Sequence, residues 1–173
     1  MTDAIEFDPV DAIGAGAFGR PGARTFVIQA RKGEAMLSVL VEKEQVALLA
    51  AEAEQFLDRI AEEHPEEPGA METVAPAGVE EDEPLFRARL IGIGFDPERS
   101  LVLLELREQA AEDEEAPPAI EDSEGHIARL YATRAQIRAM LANGIVAVSA
   151  GRPKCPLCDF PMDPDGHICP RMN

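Results

Sequence analysis

The three cysteines of this 173-residue chain all lie within its last 19 residues, as Cys155-Pro-Leu-Cys158 and, after eight intervening residues, His167-Ile-Cys169. No other feature constrains the fold as strongly. A tail of about twenty residues cannot bury enough apolar surface to order itself, and a bound metal supplies the missing free energy. A Cys-x-x-Cys step carries two thiolates to one ion from a tight turn, and an imidazole completes a soft N/S tetrahedron. Pro156, Pro161, Pro164 and Pro170, together with Asp163-Pro164-Asp165-Gly166, provide the turns such a site needs. The expected ligands are Cys155, Cys158, His167 and Cys169, and the expected ion is zinc. The single residue between His167 and Cys169 keeps an alternative open. If both cannot reach the ion, Asp159, Asp163 or water takes the fourth position, and an open position is what separates catalytic from structural zinc.

Three other readings of the cysteines compete. They could be reduced thiols on a loose tail. A redox Cys-x-x-Cys pair would open a helix after a strand, which Pro156 and the later prolines do not suit. A disulfide network is the weakest, because three cysteines cannot all pair and the acidic amino terminus has no secretory signal. That terminus, and apolar runs no longer than Ile145-Val146-Ala147-Val148, lead us to expect a cytoplasmic protein with no membrane segment.

Hydrophobic periodicity divides the remaining residues. Residues 1–24 are rich in Gly and Pro and short on pattern. Thr25–Ala30 and Ala35–Val41 read as a hairpin turned through Arg31-Lys32-Gly33-Glu34. From Glu42 the period changes, and Val46, Leu49, Ala53, Phe56, Leu57 and Ile60 share a helical face that Pro65 ends. Leu85–Phe95 and Leu101–Leu106 read as a second hairpin, with Phe86, Ala88 and Leu90 on one face and Arg87 and Arg89 on the other. His126–Ala132 reads as a further strand. Thr133 and Gln136 then have capping-box spacing, opening a helix with a buried stripe of Ile137, Leu141, Ile145 and Val148 that Gly151 ends. Sustained strand–helix–strand alternation is missing. The expected class is therefore α+β, a mainly antiparallel sheet packed by two helices. The expected division is a core domain over 1–150 and a zinc-binding tail over 151–173.

The formal charge of −17 is local rather than global. Sixteen of the 33 acids sit in two stretches without Lys or Arg, near 62–84 and 110–124, which leaves 17 acids against 16 bases elsewhere. Both stretches contain proline and read as solvated loops. They oppose non-specific affinity for nucleic acid.

Gly14-Ala15-Gly16-Ala17-Phe18-Gly19 has the spacing of a phosphate-cradling loop. Such a loop needs a buried strand before it and a helix after it. Phe7-Asp8-Pro9-Val10-Asp11 is a poor buried strand and Arg20-Pro21-Gly22 opens no helix, so a flexible glycine loop leading to a turn is expected. The kinase H-R-D and D-F-G motifs are missing, as are G-x-S-x-G and H-E-x-x-H. His126 and Tyr131 have no partner spacing that suggests acid–base work. Arg20, Arg24, Arg31 and Lys32 cluster at the first hairpin, and Arg152, Lys154 and Arg171 surround the tail. Arg20, Arg24, Gln29, Lys43, Arg152 and Arg171 are candidates for binding an anion or an acidic partner.

The chain resembles a bacterial, mainly actinobacterial, family known only as a domain of unknown function. The resemblance runs from Phe7-Asp8-Pro9 through Ala15-Gly16-x-x-Gly19-x-Pro21-Gly22-x-Arg24-x-Phe26-x-x-Gln29-Ala30, Ser38 and Glu42-Lys43-x-Gln45-Val46. It ends in Gly151-Arg152-Pro153-x-Cys155-Pro156-Leu157-Cys158, Pro161, Asp163-Pro164-x-Gly166-His167-x-Cys169-Pro170-Arg171. Asp159 departs from the family, which usually has glycine after the second cysteine. The resemblance implies a cytosolic protein with a metal-type tail and no established reaction. Its members' genes often lie beside those of a histidine-phosphatase-like and a lipid-kinase-like protein, implying a shared pathway.

The expected function is that of a non-catalytic, zinc-stabilised binding or adaptor protein with a protein or small-molecule partner. One alternative is an enzyme acting on an anionic or phosphorylated small molecule held by Arg20, Arg24, Gln29 and Lys43. Another is nucleic-acid binding through the zinc tail.

Overall fold

The computed structural model describes residues 3–66, 74, 77–108 and 125–172. The acidic stretch 110–124 lies outside these residues, as do 67–73, 75 and 76 of the other. Among the described residues the elements run β1 (Asp3–Phe7), β2 (Ala12–Phe18), β3 (Thr25–Lys32), β4 (Ala35–Val41), α1 (Lys43–Glu63), β5 (Phe86–Arg87), β6 (Leu90–Asp96), β7 (Leu101–Arg107), β8 (His126–Ala132) and α2 (Arg134–Ser149). The fold is α+β, as the patterning indicates.

There are two four-stranded sheets rather than one. Their strand orders are β1-β8-β7-β6 and β2-β3-β4-β5. The hairpin pairs are antiparallel, as is β7 with β8, whereas β1 lies parallel to β8 and β5 parallel to β4. The chain passes between sheets at two places. The Val10 N–H donates to Tyr131 in one sheet, and the next N–H, of Asp11, donates to Arg31 in the other. Likewise the Ala88 N–H donates to Leu40 and that of Arg89 to Arg107. The segment expected as one strand over Leu85–Phe95 is therefore two, because its backbone changes partner at Ala88. Leu90, placed with Phe86 and Ala88 by simple alternation, is 46% exposed.

The glycine-rich segment is also corrected. It forms strand β2, paired with β3 from Ala12↔Arg31 to Phe18↔Thr25, and only Gly19, at φ +100°, belongs to a turn. Gly14 and Gly16 lack side chains because residues 77–80 cross that face of the strand. A Cβ on Gly14 would lie 2.4 Å from the Ala77 carbonyl oxygen, and one on Gly16 would lie 2.8 Å from a Val79 methyl. Gln29 stands opposite Gly14 and completes the seam. Its amide donates to the Glu80 carbonyl at 2.7 Å and accepts from the Glu80 N–H at 2.8 Å. This end of the first acidic stretch is held against the sheet rather than being a free solvated loop.

On the opposite face of β2, α2 packs through Ala15, and Gly144 sits where both meet Val46 of α1. A Cβ on Gly144 would lie 2.9 Å from Val46 Cγ1. Thr133 and Gln136 form the predicted capping box, with the Gln136 N–H donating to Thr133 Oγ1 at 3.1 Å and the Thr133 N–H donating to Gln136 Oε1 at 2.9 Å. The buried face of α2 is Ile137, Met140, Leu141, Gly144 and Ala147. Ile145, expected inside, is 48% exposed. Gly144 lies against Val46 and Ala15, which sets the small residues inward and leaves Ile145 outward. Residues of both sheets and both helices share one buried cluster that includes Ile28, Val39, Leu57, Leu104, Leu130 and Ile137. Neither helix is long and apolar enough to cross a membrane.

Candidate metal centre

Beyond α2 the chain makes two small turns. Lys154 and Pro161 form an isolated antiparallel bridge, reinforced by the Cys155 N–H donating to Phe160 and the Met162 N–H donating to Pro153. This clasp closes Cys155-Pro156-Leu157-Cys158 into a knuckle. The Asp159 N–H donates back to the Cys155 carbonyl at 2.9 Å, which leaves Asp159 at φ +61°. That left-handed conformation suits glycine better than aspartate. The second turn, Asp163–Gly166, closes through the Gly166 N–H and the Asp163 carbonyl and delivers His167 and Cys169.

The two turns face each other. One ligand atom from each of Cys155, Cys158, His167 and Cys169 lies within 4.8 Å of the other three. The Cys155 and Cys169 sulfurs are 3.9 Å apart, and Cys158 Sγ is 3.2 Å from His167 Nε2. Thiolates at a metal–sulfur distance of about 2.3 Å on a tetrahedral ion stand roughly 3.8 Å apart. The first separation fits a shared ion and far exceeds a disulfide bond, and the cysteines are free. These four residues are positioned to hold a metal ion. The one-residue gap between His167 and Cys169 therefore does not keep either from the site.

The knuckle also prepares a ligand. Backbone N–H groups of Leu157 and Cys158 point at the Cys155 sulfur and bring its pKa down to about 6. Burial works the other way at Cys158 and raises its thiol above the ordinary value. One thiolate is thus available near neutral pH, where a metal ion can displace the protons of the others.

A family model described as "Protein of unknown function (DUF3090)" matches residues 5–169. The chain belongs to that family. The matched span begins in β1 and ends on the last candidate ligand, so in this DUF3090 chain the Cys/His tail is part of the family's domain. No curated protein and no solved structure matches the chain.

The DUF3090 chain's candidate cations are placed around the join between body and tail. Arg24 donates from Nη1 to the Ala147 carbonyl at 2.7 Å, meeting the carbonyl end of α2. Lys43 lies beside Gly151, where a Cβ would come within 3.2 Å of its ammonium. Arg152 pairs with Asp163 at 2.9 Å, and both lie against Gly22, which is at φ +89°. Positive groups at this end complement the partial negative charge of the helix terminus. Arg20 is exposed in the turn beside Gly22, and Arg171 is exposed near the end of the tail. Gln29 does not join them. It faces the 77–80 segment, whereas Phe26, which carries the Arg24 guanidinium 5.2 Å from its ring centre, is three residues away on the other face of β3.

Sequence reasoning missed the junction of Gly22, Arg152 and Asp163. The signal was present as Pro21-Gly22-x-Arg24 and Gly151-Arg152-Pro153, but spacing 130 residues apart in the chain carries no statement of contact. It also missed Arg134, which is buried.

Proposed function

We propose that this DUF3090 protein is a non-catalytic, zinc-stabilised binding or adaptor protein. The observation that carries the reading is the convergence of three sulfurs and one imidazole nitrogen within 4.8 Å. Borderline-soft N/S donors in this number suit zinc. With four protein ligands no coordination position is left for a substrate or an activated water, and that is the arrangement of a structural site. The ion then fixes the tail, and the tail in turn sets Arg152 and Asp163 against the Gly22 loop at the end of α2.

The enzyme alternative requires Arg20, Arg24, Gln29 and Lys43 on one surface. The engagement of Gln29 with Glu80, and of Arg24 with Ala147, weighs against it. Nucleic-acid binding through the tail is weakened by its charge balance, since Arg152, Lys154 and Arg171 accompany Asp159, Asp163 and Asp165.

Cobalt(II) substitution tests the closed site. A tetrahedral spectrum with strong sulfur-to-metal charge transfer, unchanged by added azide or cyanide, is expected. A spectrum that those anions alter would reveal an open position and favour the enzyme.

A further inference from the structure

Arg134, the first residue of α2, buries its charge with only part of its hydrogen-bonding capacity used. The side chain is 3% exposed. Its Nη2 donates to the Ser100 hydroxyl at 3.2 Å, while Nε and Nη1 have no hydrogen-bond partner among the described residues. The carboxylate of Glu66 stands 3.7 Å from Nε, outside hydrogen-bond range. The guanidinium lies over the Phe95 ring, 4.9 Å from its centre, and His64 packs against that ring at 5.4 Å. An arginine cannot shed its proton to escape burial, so its unmet donors require an explanation.

The surroundings suggest what meets them. Ser100 is exposed at φ +54°, and its hydroxyl oxygen accepts from Arg134 Nη2. Glu66 is 35% exposed on the other side. The buried guanidinium thus lies directly beneath accessible residues. Nη1, the second hydrogen of Nη2 and the Ser100 hydroxyl hydrogen form a group of donors at one end of the guanidinium. The positive end of α2 adds to their field. A planar carboxylate offers two oxygens to these donors, while a phosphoryl group offers three or more.

We propose that Arg134 and Ser100 form a binding site for the phosphoryl group of a small molecule, with Glu66 as a like-charged neighbour that weakens binding. The site is separate from the Cys/His cluster and does not rest on the zinc reading.

Titration calorimetry of the full chain, as purified, with inorganic phosphate in a phosphate-free buffer of low ionic strength tests it. One saturable site is expected, weakened at least about tenfold by Arg134→Lys and severalfold by Ser100→Ala, and tightened severalfold by Glu66→Gln. Acetate is expected to bind about tenfold more weakly than phosphate. Absence of saturable phosphate binding in both the natural chain and Glu66→Gln overturns the proposal. So does equal binding of acetate and phosphate. Should Arg134→Lys fail to fold, the Ser100 and Glu66 variants, both changed at accessible positions, decide the matter.

Discussion

At the scale of single residues, the tail shows how backbone geometry prepares chemistry. Asp159 occupies a left-handed conformation only because the knuckle must close behind Cys158. Asp159→Gly should relieve roughly 1 kcal/mol of steric cost, visible as up to about fivefold tighter metal retention against a competing chelator. Weaker retention would show that the Asp159 carboxylate contributes to the site. The two thiols of the knuckle should also separate on titration. Where the knuckle keeps its turns without the ion, ultraviolet thiolate absorbance should rise in one step near pH 6, absent from Cys155→Ser, and in another above the ordinary cysteine range. The folded pKa of Cys155 lies below its unfolded value of 9.0, so its ionised form stabilises the knuckle fully above that value. This contribution is lost as the pH falls through about 6. A metal-free titration with no step below the ordinary range would mean that the knuckle forms only around the ion. The convergence of Cys155, Cys158, His167 and Cys169 was legible from residue type and spacing. The left-handed turn at Asp159 was not, since aspartate is common in ordinary turns.

At the scale of elements, strands and helices were legible wherever periodicity was strong. The β3–β4 hairpin, α1, β8 and the Thr133–Gln136 cap of α2 lie where pattern puts them. The failures share a cause, which is that local period says nothing about a third element crossing overhead. Gly14 and Gly16 look like a flexible loop until residues 77–80 are seen lying on them. Ile145 looks like a core residue until Gly144 is seen against Val46. Glycine substitutions separate these effects. Gly14→Ala places a methyl 2.4 Å from a backbone oxygen and should destabilise by about 1–3 kcal/mol, lowering the urea midpoint with the slope unchanged. Gly92→Ala, in β6 with no neighbour within 4 Å of the added atom, should stay within about 0.5 kcal/mol of the natural chain or gain slightly. Equal effects at the two positions would mean that the 77–80 segment does not rest on β2.

At the scale of the whole molecule, two sheets and two helices build a single buried cluster without the tail's help, and the tail gathers four residues positioned to hold a metal ion. Its contact with the body runs through Arg152 and Asp163 at Gly22 and through Gly151 beside Lys43. The class of fold was legible because strand and helix periods do not alternate. The split into two sheets was not, since it is decided by single backbone hydrogen bonds at Val10–Asp11 and Ala88–Arg89. On the proposed reading Cys155, Cys158, His167 and Cys169 close around one zinc ion. Elemental analysis of protein purified without chelator decides it. One zinc per chain is predicted, falling to well below one in Cys155→Ser and Cys169→Ser while the helical circular dichroism of the body persists. Zinc well below one ion per chain in the natural protein would contradict it.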